Sequence, residues 1–275
     1  RKFLLTLWNT YSFFTLYANI DHFVPQRNEL ASLSMLDKWI ISELNWLILE
    51  VTKLLDSYEP SSAARKIEEF VDNLSNWWIR RGRRRFWKSE NDADKLAAYT
   101  TLYRCLLTLS QLLAPFIPFV AEELYQNLVC SVDPNAKESV HLTNFPIADG
   151  AKIDGKLNDD VELAMRISSL GRAARAKAGI KVRQPLAKIM VKASSAAEEN
   201  ALHKLASEIS EEVNVKEIVT LGRSEEFAAE MPDYSIASDA RYWVAISTKL
   251  TPELVAEGIS REIVRRLQTM RRAAK

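Results

Sequence analysis

Apolar residues recur at helical spacing through the first 130 residues, and this pattern limits the fold more than any other feature. From position 39 to 55 the spacing fits a period of 3.6 residues. The apolar positions are Trp39, Ile40, Leu44, Leu47, Ile48, Val51, Leu54 and Leu55. A second stripe consists of Ile67, Phe70, Val71, Leu74 and Trp78. Only seven glycines occur in 275 residues, which disfavours a turn-rich fold. We therefore predict a mainly α chain that begins with an antiparallel helical bundle.

Further helices complete the predicted bundle, which we assign to residues 1–130. The helix predicted from Leu4 to Ala18 is aromatic around most of its circumference, and this predicts burial on several sides. Another helix is predicted from about Asp94 to Ala114. Pro118 can then occupy the first turn of the next helix.

The composition changes after the bundle. Residues 131–156 contain prolines, glycines and scattered polar residues, so they are predicted to be a linker. Residues 157–275 are predicted to form a small α+β domain, truncated at its end. Its first helix should end at Gly179. The predicted strands cover 186–193, 213–221 and 242–248, with helices from 196 to 210 and from Pro252 onward.

Charge and cysteine content exclude several classes of protein. The 37 basic and 36 acidic residues give a net charge of +1, so any basic cluster is a local feature. Cys105 and Cys130 form no CxxC pair, so neither a zinc site nor a disulfide is expected. Polar residues interrupt the apolar segment 3–23, and no membrane span is expected. We therefore expect a cytoplasmic protein. The chain starts without Met and ends within a predicted helix, which suggests a piece of a larger protein.

The strongest functional signal is a basic and aromatic run at residues 76–88. It contains five arginines, three tryptophans and Lys88. Guanidinium groups bind phosphates, and a tryptophan face can stack on a base, so the run favours RNA binding. The alternative is a solvated basic helix face whose tryptophans are buried.

Helical periodicity divides this run into two faces. Extending the stripe of the third helix at 100° per residue places Arg81 and Arg85 on the inner face, paired with carboxylates. The predicted outer residues are Arg80, Arg83, Arg84 and Trp87. Gly82 costs about 1 kcal/mol of helix propensity. This glycine therefore suggests either a close backbone approach or a bend.

Five segments, taken in order, resemble one family. Residues 36–45 (LDKWIISELN) and 76–87 (NWWIRRGRRRFW) resemble LDRWILSRLN and NWYIRRSRRRFW. Residues 112–125 (LLAPFIPFVAEELY), 139–146 (SVHLTNFP) and 180–186 (IKVRQPL) are similar to LLAPFxPFxAEELY, SVHLxDWP and KVRQPL. These motifs are typical of the anticodon-binding region of class I isoleucyl-tRNA synthetases. Departures are Phe145 in place of tryptophan and Gly82 in place of serine.

The resemblance implies a fragment that binds the anticodon stem and loop of isoleucine tRNA. The parent enzyme would attach isoleucine to its tRNA using ATP and Mg. HIGH-like and KMSKS-like segments are absent from the sequence, so we expect no catalytic residues, cofactor or metal site in this chain. We expect a monomer without membrane contact. Two alternatives stay open: the same region of a valyl- or leucyl-tRNA synthetase, and a non-catalytic helical RNA-binding module.

Two groups of residues are the candidates for RNA contact. The first is Arg80, Arg83, Arg84, Trp87 and Lys88, and the second is Lys181, Arg183, Gln184, Arg265 and Arg266. The second group includes types that suit base edges or phosphates. Arg183 has an alternative role as a brace between domains. His141 and the acid pairs 122–123 and 159–160 are expected to be structural.

Overall fold

The computed structural model describes residues 2–25, 33–88, 90, 92–222 and 232–274. The chain divides into two units, Arg1–Gly155 and Lys156–Lys275. The first unit is helical, and the second combines helices with one four-stranded sheet. This arrangement confirms the predicted fold class, a mainly α chain followed by a small α+β part. None of the helices in the described ranges has the length and hydropathy that crossing a membrane requires.

Capping residues explain where the helices of the first unit begin. The helices are α1 (Lys2–Ile20), α2 (Met35–Asp56), α3 (Pro60–Asn73), α4 (Arg80–Trp87), α5 (Ala93–Leu113) and α6 (Pro118–Tyr125). Ser34 and Asp37 form a reciprocal capping box at the start of α2. The side chain of Asp92 accepts a hydrogen bond from the first turn of α5. Proline occupies the first turn of α3 and of α6.

The core of the first unit lies between the stripes predicted from periodicity. All five residues of the second predicted stripe are buried, from Ile67 and Phe70 on α3 to Trp78 in the segment that follows α3. On α2 the side chains from Trp39 to Val51 in the predicted stripe are buried, while Leu54 and Leu55 are half-buried near the end of the helix. The predicted inner faces of these helices are confirmed.

Helix α1 is less buried than its sequence predicts. Leu7, Tyr11 and Phe14 face the core. Leu5 and Trp8, on the other side, are exposed. The predicted burial of this helix on several sides is therefore wrong for this unit, because only one face of the helix contacts the core.

The segment predicted to be a linker belongs to the first unit up to Gly155. It contains two short 3₁₀ turns at Val140–Leu142 and Gly150–Lys152. The amide of Val140 donates to the Glu122 carboxylate at 3.0 Å, and the amide of Asp149 donates to Asn45 Oδ1 at 2.8 Å. Backbone groups of this irregular segment thus bind side chains of the bundle.

The second unit is built on a mixed sheet. Its helices are α7 (Gly155–Lys177), α8 (Ala196–Lys204), α9 (Ala206–Val213) and α10 (Pro252–Ala273), and its strands are β1 (Leu186–Lys192), β2 (Val215–Leu221), β3 (Tyr234–Ser238) and β4 (Trp243–Ser247). The strand order is β2-β1-β4-β3. Strands β1 and β2 are parallel, and the other neighbours are antiparallel.

Two features of the second unit differ from prediction. Strand β3 was not predicted, because its sequence YSIAS contains no sustained apolar run. The helix predicted from 196 to 210 is two helices, α8 and α9, separated at Leu205. The backbone of Leu205 departs from helical geometry, with ψ at 18°.

Candidate nucleic-acid interface

The outer face of α4 presents three arginines and one tryptophan. We call Arg80, Arg83, Arg84 and Trp87 the outer arginine patch. The three arginines are exposed, and Trp87 retains 56% of its accessible surface. Arg81 and Arg85 are half-buried on the other side of the helix. The predicted division of the helix into two faces is confirmed.

Contacts within the first unit orient two guanidinium groups of the patch. Arg80 Nε donates to the carbonyl oxygen of Asn76 at 2.8 Å. The guanidinium carbon of Arg83 lies 5.9 Å from the centre of the Phe13 ring, within cation–π range. A side chain that is already oriented loses less conformational entropy when a ligand binds.

The inner face of α4 is fixed by a buried carboxylate. Asp37 is fully buried, and each of its oxygens accepts a bond of 2.8 Å from the Arg85 guanidinium group. Its Oδ1 also accepts a bond from Trp78 Nε1 at 3.1 Å. Arg85 pairs with Asp94 as well. Burial alone would lower the pKa of Arg85, but Asp37 and Asp94 raise it. The start of α2 therefore sets the orientation of α4.

Only one of the three tryptophans in this run is exposed. Trp77 and Trp78 are buried, in a π-helical segment, Leu74–Ile79, that joins α3 to α4. Arg81 lies over the Trp77 ring, 5.1 Å from its centre. Trp77, Trp78 and Ile79 are consecutive residues of this segment, and all three are buried. The alternative interpretation, in which the tryptophans are buried, is therefore correct for Trp77 and Trp78. Trp87 stays the candidate for stacking on a base.

Lys88 lies at the end of α4 beside two carboxylates. Its Nζ is 2.8 Å from Asp94 and 3.3 Å from Asp92. Hydrogen bonds to these two groups raise the pKa of Lys88. Because these carboxylates balance its charge, Lys88 contributes less positive potential than the residues of the outer arginine patch.

Gly82 does not mark a close backbone approach. A Cβ atom built on this residue would meet only Arg85 Cδ, at an ordinary contact distance of 4.0 Å. The irregular backbone lies before α4, at Leu74–Ile79, and not at Gly82. Neither predicted reason for this glycine is therefore seen, although the residue is buried.

A buried arginine organises the turn that carries the second group of candidates. Gly179, with φ at +67°, ends α7 in the left-handed conformation. Arg175 is buried, and its guanidinium group donates to the carbonyl oxygens of Gln184, Val213 and Asn214. Burial lowers the pKa of Arg175 to about 10. The role of Arg175 could not be predicted from the sequence, because a basic residue in the last turn of a helix is common.

Residues far apart in sequence converge on one carboxylate in the second unit. Arg265 Nε lies 3.1 Å from Glu262 Oε2, and Arg266 Nε lies 3.8 Å from Glu262 Oε1. Arg183 Nη1 lies 3.9 Å from Oε2. Hydrogen bonding by Arg265, with the charges of Arg183 and Lys181, lowers the pKa of Glu262. We call Lys181, Arg183, Arg265, Arg266 and Glu262 the Glu262 cluster.

Gln184 has intramolecular partners. Its Nε2 donates to the carbonyl oxygen of Leu254 at 2.7 Å and to that of Pro185 at 3.1 Å. Its side chain also lies against Gly258, where an added Cβ would overlap Oε1. These contacts dock α10 on the unit. We therefore treat Gln184 as a residue that positions α10, while RNA contact by Gln184 stays a prediction.

The acidic residues considered for catalysis have structural contacts. Glu122 accepts hydrogen bonds from Ser139 and Val140, and Asp160 lies 3.6 Å from Lys204 Nζ. Among the residues that the structure describes, no group of three or more histidine, cysteine or acidic side chains could hold a metal ion.

These structural features accompany a match to a known family. The family model of the anticodon-binding domain of tRNA ligase matches residues 37–191. This range is more than half of the chain and includes α4 with its outer arginine patch. The chain belongs to this family.

Within this family, the relatives most similar in sequence include several isoleucine–tRNA ligases. The isoleucine–tRNA ligase of Dehalococcoides mccartyi is 58% identical over 277 residues, which cover all of this chain and 27% of the relative. Those of Thermus thermophilus and Clostridium novyi are 42% and 45% identical, over 95% and 85% of the chain. This chain covers 25% of the Thermus thermophilus protein and 22% of the Clostridium novyi protein. The chain thus spans about a quarter of these relatives.

Proposed function

We propose that this chain is the tRNA-binding part of an isoleucine–tRNA ligase and that it binds the anticodon stem and loop. The observation that carries the proposal is the outer arginine patch, which lies in the region matched by the family. Three exposed arginines on adjacent turns, with one exposed tryptophan, suit a phosphate backbone next to an unstacked base.

The two clusters have different tasks in this proposal. Arginine–phosphate contacts fix position and carry no sequence information, so the outer arginine patch binds any tRNA of the right shape. The Glu262 cluster contains both N–H donors and a carboxylate acceptor, which are the groups that base edges require. Its Arg183, Arg265 and Arg266 are therefore our candidates for reading the loop.

The whole protein is proposed to attach isoleucine to its tRNA with ATP and Mg. The residues of this chain do not fit such a catalytic site. The sequence lacks the HIGH-like and KMSKS-like segments that would hold the ATP phosphates. The proposed role of this chain is to supply affinity for the tRNA and to fix its register.

We further propose that the protein is cytoplasmic and that the chain acts as a monomer on isoleucine tRNA. The names of the relatives support isoleucine over valine or leucine. The buried thiol of Cys105 and the lack of a CxxC pair suit a reducing compartment.

Binding competition tests the proposal. The purified chain is titrated with isoleucine, valine and leucine tRNAs and with an unrelated structured RNA of equal length, at one fixed salt concentration. We expect the lowest Kd for isoleucine tRNA. Preference for valine or leucine tRNA would indicate another synthetase of the same subclass. Equal affinity for all four RNAs would indicate a general helical RNA-binding module.

A further inference from the structure

Glu262 is the last acidic residue of the chain, and it lies among basic side chains from two separate segments. Lys181 and Arg183 come from the turn after α7, while Arg265 and Arg266 follow Glu262 on α10 itself. The side chain of Glu262 keeps 27% of its accessible surface, so a ligand can reach it. Arg265 bonds the carboxylate directly, and the guanidinium groups of Arg183 and Arg266 lie 3.9 and 3.8 Å from its oxygens.

This position opposes binding of a bare phosphate backbone. A phosphate that approached Glu262 would meet a negative charge, and Nε and one Nη of Arg265 already donate to that carboxylate. A carboxylate can instead accept hydrogen bonds. Phosphates have no N–H or O–H to donate at neutral pH, whereas unpaired bases present N–H groups on their edges.

We propose that Glu262 is a specificity-determining residue, which rejects bare phosphate and accepts an N–H group from an unpaired base while the neighbouring arginines donate to base acceptors. The inference rests on the proposed function, because it assumes that the second unit contacts the tRNA loop. It assigns the discriminating role to the one carboxylate of the cluster and not to its arginines alone.

Two RNA hairpins test this role. One is the anticodon arm of isoleucine tRNA, and the other is the same hairpin with the three anticodon bases removed and every phosphate and ribose retained. Glu262→Gln removes the charge but keeps an acceptor oxygen, so the Kd of the abasic hairpin divided by that of the intact arm should fall by roughly 2- to 5-fold, the range for one exposed charge contact. Most of the change should come from tighter binding of the abasic hairpin. The salt slope for that hairpin should rise by about one.

Glu257→Gln is the matched control. Glu257 lies on the same helix with similar exposure and pairs with Lys216 and Arg261, outside the cluster. This variant should leave the ratio unchanged. Thermal melting of both variants checks that the unit remains folded.

The outcomes separate the inference from the proposed function. If the unchanged chain bound the intact arm no better than an unrelated hairpin, the proposed function itself would fail. If it bound the arm well but Glu262→Gln kept the wild-type ratio, or weakened both hairpins equally, only the role of Glu262 would be overturned. A wild-type ratio of one would overturn it too, since no base would then be read.

Discussion

At the scale of single residues, Asp37 has the largest structural role near the candidate interface. It caps α2, accepts from Trp78 and pairs with Arg85 on α4. Removing Asp37 leaves Arg85 with only the Asp94 carboxylate and takes the acceptor from the buried Trp78 N–H. We expect Asp37→Ala to lower the free energy of unfolding by about 3–5 kcal/mol. Urea denaturation measures the loss, and Asp56→Ala, at the exposed end of the same helix, should change stability little.

Gly82 gives a second prediction at this scale, with the opposite sign. Its surroundings have room for a Cβ, and its φ is not in the left-handed region. Gly82→Ala should therefore stabilise the first unit by about 0.5–1 kcal/mol through better helix propensity. Denaturant titration of the two forms tests this. A destabilised variant would contradict this prediction and would show that Gly82 has no room for a methyl group.

Individual roles could be predicted where periodicity decides them. The faces of Arg81 and Arg85 followed from the spacing of Ile67, Val71, Leu74 and Trp78. The roles of Asp37, Arg175 and Glu262 could not be predicted, because each depends on partners that only the tertiary fold brings close. The spacing of Ser34 and Asp37 signals a capping box, but it does not reveal the bond to Arg85.

At the scale of elements, α4 should separate RNA affinity from stability. We expect Arg80→Ala, Arg83→Ala and Arg84→Ala combined to weaken tRNA binding and to lower the salt slope by roughly two to three, near one per phosphate contact. The melting temperature should change little, because exposed charges contribute little to stability. Fluorescence anisotropy at several salt concentrations measures both quantities.

A control with the same loss of charge sharpens this test. Lys38, Lys53 and Lys66 are exposed on α2 and α3. Replacing these three by alanine also removes three positive charges, but it should leave the salt slope nearly unchanged. If both triple variants lost affinity equally, overall charge and not the outer arginine patch would drive binding.

Helices with a long apolar pattern could be predicted from the sequence, and short elements could not. The stripe of α2 and the stripe that begins on α3 gave correct inner faces, and α5 was predicted to within one residue at each end. The short strand β3, with Ser235 and Ser238 among its five residues, gave no signal. The π-helical segment before α4 was not predicted either, since a period of 3.6 residues assumes regular helix throughout.

At the scale of the whole molecule, the chain should bind RNA without activating an amino acid. It covers about a quarter of its relatives, and the sequence lacks the segments expected to hold ATP phosphates. The purified chain should therefore give only background pyrophosphate exchange with isoleucine and ATP. Isoleucine-dependent exchange well above that of a heat-denatured sample would contradict the assignment of this chain as a non-catalytic part.

The two units should also differ in what they recognise. The outer arginine patch lies in the first unit, and the Glu262 cluster lies in the second. Arg83→Ala should weaken cognate and non-cognate tRNAs by a similar factor, because a phosphate contact is independent of sequence. Arg183→Ala should instead lower the preference for isoleucine tRNA by about 1–3 kcal/mol, the range for one base contact.

The control for both variants is Arg241→Ala. Arg241 is an exposed arginine of the second unit that pairs with Glu198, so its loss should change neither overall affinity nor preference. Dissociation constants for several tRNAs at one salt concentration measure these effects. Equal losses across all tRNAs for Arg183→Ala would mean that its turn only supports α10, and specificity would then have to come from Arg265, Arg266 or Glu262.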